Sequence, residues 1–430
     1  MDIFILEIKM KKLKYIISLL SFFVSINCTS LYASTFFSGY AGGKVNFSGK
    51  MSETNGEEKY DPDLKLQAFF AGQFNFNQNM WTRMEVSVNT EDFISSTIFH
   101  ETQALFQIDE LSFTLRSNTS NKANYLSAYM GTYDSIGSDI FLLRYFSIQP
   151  IASKLTESWL GLAGSILYPH FGFGISDIVK LYQVPVAFGG YAYLNHENDK
   201  FYVFNIDGRA ACAFPYFTCD FAFGMGAPLE NSYYGEDLIL AISSLYWHAG
   251  TTMLIGNNYI PSLFFQAGLF NARLTKTDGL SIDKNNDIYI LLEPRFYIKD
   301  THLTVSLYNL PARTAENLLF IDDTLGLDFN FYSDLFAIKG HNFTIGTHTS
   351  ISLVDQTIFM TTGQKFAEKG AELLSCLTSL NFNVNITPYI STSFLSGQIH
   401  GQMKIRIMDF VRPNSAAEAF SVDIGYKTSF

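Results

Sequence analysis

Two histidine–glutamate pairs come nearest to the pattern of a metal-dependent active site. His100 precedes Glu101, and His196 precedes Glu197. A zinc protease needs a second histidine four residues after the first, so that both rings lie on one face of a helix and bind one ion. Position 104 is alanine and position 200 is lysine. The spacing is therefore wrong, and the sequence predicts no metal site.

His348 and His400 are the remaining candidates for acid–base chemistry. No serine nucleophile with a supporting acid can be placed beside either histidine, as a lipase or protease would require. The glycine pairs in "FGFG" and "GMGAP" are not followed by the start of a helix, so they do not match a phosphate-binding loop. We therefore expect no catalytic residue, no cofactor and no enzymatic activity.

Charged residues at alternate positions are better functional candidates. They occur in "WTRMEVSVN", "DIYILLEPRFYIK" and "IHGQMKIRIM", each time on the polar face of the predicted strand. In a water-filled channel, such charges select solutes by sign. The alternative is that they pair with each other across strands of a hydrated wall. The selectivity candidates are Arg83, Glu85, Glu293, Arg295, Lys404 and Arg406.

The elements that would position these charges are β-strands. "TLGLDFNFY" places Leu325, Leu327, Phe329 and Phe331 on one face and small or polar residues on the other. This period of two is typical of a strand with one apolar face. After residue 33, no apolar run reaches the roughly 18 residues that a membrane helix needs. Aromatic residues make up 16% of the chain, which suits aromatic girdles at membrane interfaces.

The connections between strands alternate in length. Short turns are predicted at Asn77–Asn79, Lys299–Thr301 and Thr387–Pro388, and long polar loops at 49–63, 275–286 and 311–324. Short turns at one end and long loops at the other are typical of a transmembrane antiparallel up-and-down β-barrel. We expect about 16 strands, within a range of 14–18. A large soluble β-sandwich also alternates, but only a closed barrel pairs every backbone group in lipid.

The N-terminus has the features of a secretory signal peptide. Four lysines precede the apolar run Tyr15–Ile26, and small residues follow it. We expect cleavage after Ala33, with the barrel formed by residues 34–430. An alternative interpretation makes Cys28 a lipid-modified cysteine. Removal of residues 1–33, which hold four lysines and two acids, changes the formal net charge from −11 to −13. An exported acidic chain is not expected to bind nucleic acid.

The last twelve residues carry a resemblance to a known class of proteins. Val422, Ile424, Tyr426 and Phe430 alternate with small or polar residues, and only Thr428 departs from the apolar set. Behind a signal peptide, this ending resembles the closing strand of bacterial outer-membrane β-barrel proteins of the porin-like kind. The resemblance implies that these four residues are an assembly signal read by the barrel-assembly machinery. It also implies an integral outer-membrane location with the loops facing the exterior.

Two segments depart from the strand pattern. Residues 134–174 are too apolar and too long for an ordinary surface loop. We expect part of this segment to fold into the lumen as a constriction, with 160–167 as a candidate strand. The spacing in 363–377 predicts a short helix.

Cys212 and Cys219 flank a predicted hairpin centred on Pro215 and Tyr216. This numbering places the two cysteines directly opposite each other on adjacent strands, where a disulfide would require only a small adjustment. The alternative is two free thiols on the lipid face.

Three functions are consistent with these features. The first is a porin-type channel for passive diffusion of small hydrophilic solutes, favoured by the polar inner faces of the strands. The second is a transporter of hydrophobic substrates that resembles the fatty-acid transporters, although their N-terminal hatch motif is absent. The third is a surface adhesin or structural barrel. The expected partners are the outer-membrane lipid bilayer, the assembly machinery, small solutes and other copies of the chain.

Overall fold

The structure is a computed structural model, and it describes most of the chain after residue 35. The described residues are 36–54, 57–90, 104–134, 140–148, 151–156, 171–197, 201–231, 238–240, 244–257, 261–275, 279–282, 287–311, 325–338, 341–353, 371, 375, 382–407 and 417–430. The predicted signal peptide, the candidate strand at 160–167 and nearly all of the predicted helix at 363–377 lie outside them.

The described residues are mainly β-structure, with one helix, α1, at Ile140–Phe146. The strands are β1 Phe36–Thr54, β2 Glu57–Asn77, β3 Met80–Thr90, β4 Ala104–Asn118, β5 Lys122–Thr132, β6 Phe171–Leu181, β7 Val186–Glu197, β8 Phe201–Phe214, β9 Phe217–Asn231, β10 Leu238–Leu240, β11 Ser244–Ile255, β12 Ser262–Thr275, β13 Gly279–Ser281, β14 Ile288–Ile298, β15 Thr301–Asn309, β16 Leu325–Ile338, β17 His341–Leu353, β18 Phe382–Phe394, β19 Gly397–Ile407 and β20 Ala417–Ser429.

These strands close into one antiparallel barrel. Each long strand pairs with its neighbours in sequence, and β1 pairs with β20 from Tyr40 opposite Ser429 to Lys50 opposite Ala419. The short strand β10 pairs only with the end of β9, and β13 only with the end of β12. Neither is a separate member of the closed ring. Among the described residues, the ring therefore has eighteen strands. The predicted up-and-down barrel is confirmed, and the strand number is 18, the top of the predicted range, instead of 16.

Two predicted connections are strands. Thr387 and Pro388 lie inside β18, and the turn that follows this strand is at Leu395–Ser396. The paired residues of β18 and β19 skip Thr387 and Pro388 and resume at Tyr389 opposite Gln402. Proline has no backbone N–H to donate, so it lies at an interruption of the ladder without ending the strand. The predicted polar loop at 49–63 lies mostly in β1 and β2, which are 19 and 21 residues long.

Side chains sort by face as the alternation predicts. On β14, Leu292, Phe296 and Ile298 point outward and are exposed, whereas Glu293 and Arg295 point inward and are buried. The same alternation holds around the ring, so the outer surface is an apolar band. Within the described residues, no helix is both long and apolar enough to span a bilayer.

Cross-strand tyrosine–glycine pairs line parts of the inner wall. Tyr289 stands opposite Gly268, and a Cβ built on this glycine would lie 2.1 Å from the tyrosine ring. The same close approach is found between Tyr308 and Gly326. Each ring lies over the backbone of the neighbouring strand, in space that only glycine leaves open. Two further inner-wall pairs share this arrangement, Tyr193–Gly174 and Tyr389–Gly346.

The cysteine pair lies near a short turn. Cys212 stands opposite Cys219 in the ladder of β8 and β9, and both side chains are half-buried on the outer face. Both are free thiols in this structure. The disulfide therefore stays a prediction.

The closing strand is tied to β1 by backbone and side-chain contacts. Gly39 and Phe430 exchange two backbone hydrogen bonds of 3.0 Å. The ring of Phe430 stacks on those of Phe37 and Phe70, with centroid distances of 5.3 and 5.8 Å. The last residue therefore packs on both of the first two strands.

Replacement of Phe430 by lysine should weaken barrel closure, because it removes two ring contacts together worth about 1–3 kcal/mol. The expected result is a smaller fraction of the heat-modifiable folded form on electrophoresis. The matched control is Ser429→Lys, which adds the same charge at the neighbouring exposed position. Equal loss of folded protein in the two variants would contradict the role of the Phe430 ring.

Arginine substitutions along the outer face of β14 should report the depth of the strand in the bilayer. Leu292 lies near the middle of β14, and Ile298 is its last residue. We expect Leu292→Arg to lower the free energy of unfolding by about 2–4 kcal/mol and Ile298→Arg by about 0–1 kcal/mol. Urea unfolding in lipid vesicles measures both. A larger cost at Ile298 would place the membrane at a different height on the barrel.

Candidate functional site

The segment after β5 enters the barrel lumen. The chain leaves the sheet at Asp134, whose φ of 46° marks a sharp change of direction, and α1 follows at Ile140–Phe146. Phe141, Leu142 and Tyr145 of this helix are buried against inward-facing residues of the wall. We name the described part of this stretch, 133–134, 140–148 and 151–156, the lumen segment.

A chain of ion pairs fixes the first half of the lumen segment. Arg144 of α1 donates to both carboxylate oxygens of Glu110 on β4, at 2.9 and 2.6 Å, and to Asp134 at 2.6 Å. Its guanidinium also lies over the ring of Tyr133, 4.2 Å from the centroid. Burial by itself lowers the pKa of Arg144, but Asp134 and Glu110 outweigh it and raise the pKa well above its ordinary value. Arg144 therefore stays charged.

Arg209 on β8 supports the same segment from a second strand. It pairs with Asp220 on β9, donates to the backbone carbonyl of Asp134, and lies 4.6 Å from the ring centroid of Phe141. Tyr191 on β7 donates a hydrogen bond of 3.0 Å to the Asp134 carboxylate. Burial raises the pKa of Asp134, whereas Arg144 and Arg209 act to lower it. These contacts attach the segment to the part of the wall that includes β4, β7 and β8.

The second half of the lumen segment is attached to β14. The carboxylate of Glu293 accepts hydrogen bonds from the Ser153 hydroxyl at 2.5 Å and from the Lys154 backbone N–H at 3.1 Å. Arg295 donates to Glu293 at 2.8 Å and to the backbone carbonyl of Ala152 at 2.7 Å. In the ring, β4 and β14 are separated by seven barrel strands on one side and nine on the other. The segment therefore contacts nearly opposite parts of the wall.

An apolar cluster fills the space between these two attachments. Tyr289 and Leu291 of β14, Tyr308 of β15 and Phe264 of β12 are fully buried, and Ile151 and Leu155 of the segment belong to the same cluster. A tyrosine can pack its ring in such a cluster while its hydroxyl makes a polar contact. For example, the Tyr133 hydroxyl is bonded to both Ser127 and Tyr145.

The structure separates the six charged candidates into three groups. Arg83 pairs with Glu85 on the inner face of β3, and its Nε lies 3.9 Å from Glu110. Glu293 and Arg295 hold the lumen segment and are almost fully buried. Lys404 and Arg406 point inward from β19, far from both groups in the ring. The candidates do not form one cluster.

Sequence reasoning named Glu293 and Arg295 but missed the two arginines that attach the first half of the segment. Arg144 lies in an apolar stretch with no alternating charge, whereas Arg209 follows Asp207 at the alternate position and was not selected. His248 was also missed. It lies 2.8 Å from Asp207 across Gly224, which is in register with both residues. An isolated arginine within an apolar run was the available signal, since such a charge needs a buried partner.

The inner faces of β16–β20 are polar without a comparable apolar cluster in the described residues. Asp328 accepts hydrogen bonds from Ser350 at 2.6 Å and lies 3.0 Å from His348. The Ser350 hydroxyl donates directly to the carboxylate, whereas an activated serine nucleophile donates to a histidine that the carboxylate orients. Among the described residues, no group of three histidine, cysteine or acidic side chains could hold a metal ion.

Comparison with known proteins gives matches only in structure. No protein-family model and no curated protein matches the sequence. OpdK from Pseudomonas aeruginosa is 8% identical over 92% of this chain and 99% of that chain, with a TM-score of 0.48. OpdL from the same organism is 8% identical over 92% and 98%, with a TM-score of 0.44. Salmonella typhi OmpF is 10% identical over 92% and 97%, with a TM-score of 0.41.

The closed ring, its apolar outer band and its alternating short and long connections define the class. This class is the closed antiparallel β-barrel, the arrangement that lets strands span a lipid bilayer with every backbone group paired.

Replacement of Arg144 by alanine should loosen the lumen segment, because it leaves Glu110 and Asp134 buried without this cation. The expected cost to the docked state is about 3–5 kcal/mol. Hydrogen exchange of the backbone amides of 140–148 should become faster. The matched control, Arg116→Ala, removes an arginine that bonds to Asn118 and Tyr182 beside a short turn and should cost about 0–1 kcal/mol. Unchanged exchange in Arg144→Ala would contradict the docking role.

Proposed function

We propose that this protein is a channel for passive diffusion of small hydrophilic solutes across the outer membrane. The observation that carries the proposal is the polar inner wall of β16–β20 in a closed barrel. Amide, hydroxyl, imidazole and carboxylate groups need water or a polar partner, so an aqueous lumen suits this wall and an apolar conduit does not. The inward residues of this wall include Asp328, Asn330, His348, Ser350, Asn383, Asn385, Thr387, His400, Gln402, Ser421 and Asp423.

The lumen segment acts as the constriction in this proposal. Its hydrogen bonds, ion pairs and cation–ring contacts join it to β4–β8 and β14. The proposed path for solutes therefore runs along the other side of the ring, beside β16–β20 and β1–β3. Solutes on this path meet mainly polar groups, as expected of a hydrophilic pore.

A hydrophobic substrate is less well supported by the same residues. The described inward side chains of β16–β20 are mainly polar, and an acyl chain would leave such groups without water or a polar partner. The assembly machinery and association with other copies of the chain remain predictions.

The test is to reconstitute the purified barrel in planar bilayers and in liposomes. We expect steady ohmic current steps, and liposome swelling that is faster with arabinose than with the larger raffinose. Protein unfolded by heat before reconstitution is the control and should give neither signal. Folded barrels that give no current and no swelling would contradict the channel. Uptake of a fatty acid without current would favour the hydrophobic transporter.

A further inference from the structure

A pocket remains where the lumen segment leaves the barrel wall. It encloses about 400 Å³, counting the space at its mouth, which is within the usual size of small-molecule sites. Its lining includes Tyr133 and Asp134 of the lumen segment and Tyr129, Tyr193 and Asp207 of β5, β7 and β8. A ligand in this pocket would therefore contact both the segment and the wall.

Three tyrosine rings form a continuous aromatic surface in the pocket. The ring of Tyr129 stacks on that of Tyr133, with centroids 4.3 Å apart and planes inclined by 10°. The ring of Tyr193 is 6.4 Å from that of Tyr129 and is tilted by 48°. Gly174 lies between Tyr129 and Tyr193 in the register, and a Cβ built on it would be 2.3 Å from the Tyr193 side chain. The faces of such rings attract cations.

Asp207 differs from the other carboxylate in the lining because it has no guanidinium partner. Its two oxygens accept a hydrogen bond of 2.8 Å from the Tyr193 hydroxyl and lie 2.8 Å from His248 Nε2. Asp134, in contrast, is paired with Arg144. The side chain of Asp207 is 13% exposed, whereas that of Asp134 is 0% exposed. Since a carboxylate can accept about four hydrogen bonds, Asp207 keeps acceptor positions for a ligand.

The Tyr129 hydroxyl is a second polar group that a ligand could satisfy. Tyr129 is only 5% exposed, and its hydroxyl makes no hydrogen bond within the described part of the chain. The hydroxyls of Tyr191 and Tyr193, which also line the pocket, are bonded to Asp134 and Asp207. A buried hydroxyl without a partner is unfavourable. A ligand with several hydrogen-bond donors would bond to it and to Asp207 together.

The chemistry of these groups favours a small organic cation. A primary ammonium has three N–H donors, which suit the acceptor positions of Asp207 and the oxygen of Tyr129, and its charge is opposite to that of Asp207. Its alkyl chain would pack on the tyrosine rings. Arg209 also lines the pocket, but its charge is paired with Asp220. A metal ion is less suitable, because the described residues provide no group of three histidine, cysteine or acidic side chains.

We propose that this pocket binds small primary ammonium compounds. Asp207 is the charged partner, Tyr129 is a hydrogen-bond acceptor, and the tyrosine rings provide the apolar surface. Because Tyr133 and Asp134 of the lumen segment line the same pocket, a bound ligand should also stabilise the docked segment. The inference concerns a binding site in the wall of the barrel and does not depend on whether the barrel conducts.

Titration calorimetry of the folded barrel in non-ionic detergent tests the site, with n-butylammonium as the probe. We expect saturable binding of n-butylammonium and at least about tenfold weaker binding of n-butanol, its uncharged counterpart. Asp207→Asn keeps the shape of the side chain and removes its charge, so the half-saturating concentration should rise about tenfold. The matched control is Asp328→Asn, which changes an inward aspartate beside another histidine, His348. It should leave binding within about twofold of wild type.

Two further measurements do not rely on the charge of Asp207. Tyr129→Phe keeps the ring and removes the hydroxyl, so it should weaken binding about threefold to tenfold. In the wild-type barrel, saturating n-butylammonium should slow hydrogen exchange of the backbone amides of 140–148. Heat-modifiability of each variant confirms that the barrel has folded.

Each outcome supports or overturns the site. Binding that weakens in Asp207→Asn and in Tyr129→Phe but not in Asp328→Asn supports it. Equal binding of n-butanol and n-butylammonium would show an apolar pocket and overturn the cation site. Equal loss of binding in the two aspartate variants would show a general effect of net charge, with the same consequence. Folded wild-type barrel that does not bind n-butylammonium, or binds it without slower exchange in 140–148, would also contradict the proposal. None of these measurements requires a current, so a failure of the proposed channel is detected separately.

Discussion

Backbone hydrogen bonding in lipid is the constraint on which the rest of this structure depends. An unpaired N–H or C=O in hydrocarbon costs several kcal/mol, so a sheet that crosses the membrane must close on itself. Here closure is completed by the two bonds between Gly39 and Phe430 and by the ladder that follows them. Eighteen strands make a ring too wide for its own wall residues to fill. The wall therefore leaves space inside the ring, and the lumen segment occupies part of it.

Placing that segment in the lumen creates an electrostatic requirement. Helix α1 brings Arg144 into a buried position, and a buried charge is stable only with a partner. Glu110 and Asp134 provide it, and Arg209 then satisfies the carbonyl of Asp134. The charges on this side of the barrel therefore serve packing. The described inner face of β16–β20 carries mainly polar groups instead, so the two sides of the wall differ in composition.

The sequence predicts the fold better than the site, and the reason is physical. Alternation is a local property that is repeated in every strand. It therefore predicts the face on which a strand residue lies, and it also predicts the closing strand. The strand number was harder, because Pro388 looks like a turn but only interrupts a ladder. Contacts such as Arg144 with Glu110 join residues 34 positions apart and depend on the path of an irregular segment. The tyrosine–glycine pairs require a register, which single segments do not reveal.

Arg295 and Lys404 show why pattern alone cannot assign a lumen charge. Both lie on the polar face of an alternating strand, so the sequence pattern makes them equal candidates. Arg295 is 2% exposed and is bonded to Glu293 and to the carbonyl of Ala152. Because an opposite charge at hydrogen-bond distance cancels most of a cation's field farther away, Arg295 contributes little to the electric field in the lumen. Lys404 lies on β19 as the diagonal neighbour of Asp423 on β20. The field of a charge on the inner face therefore depends on how it is matched by charges of neighbouring strands and of the lumen segment, which the pattern of one strand does not reveal.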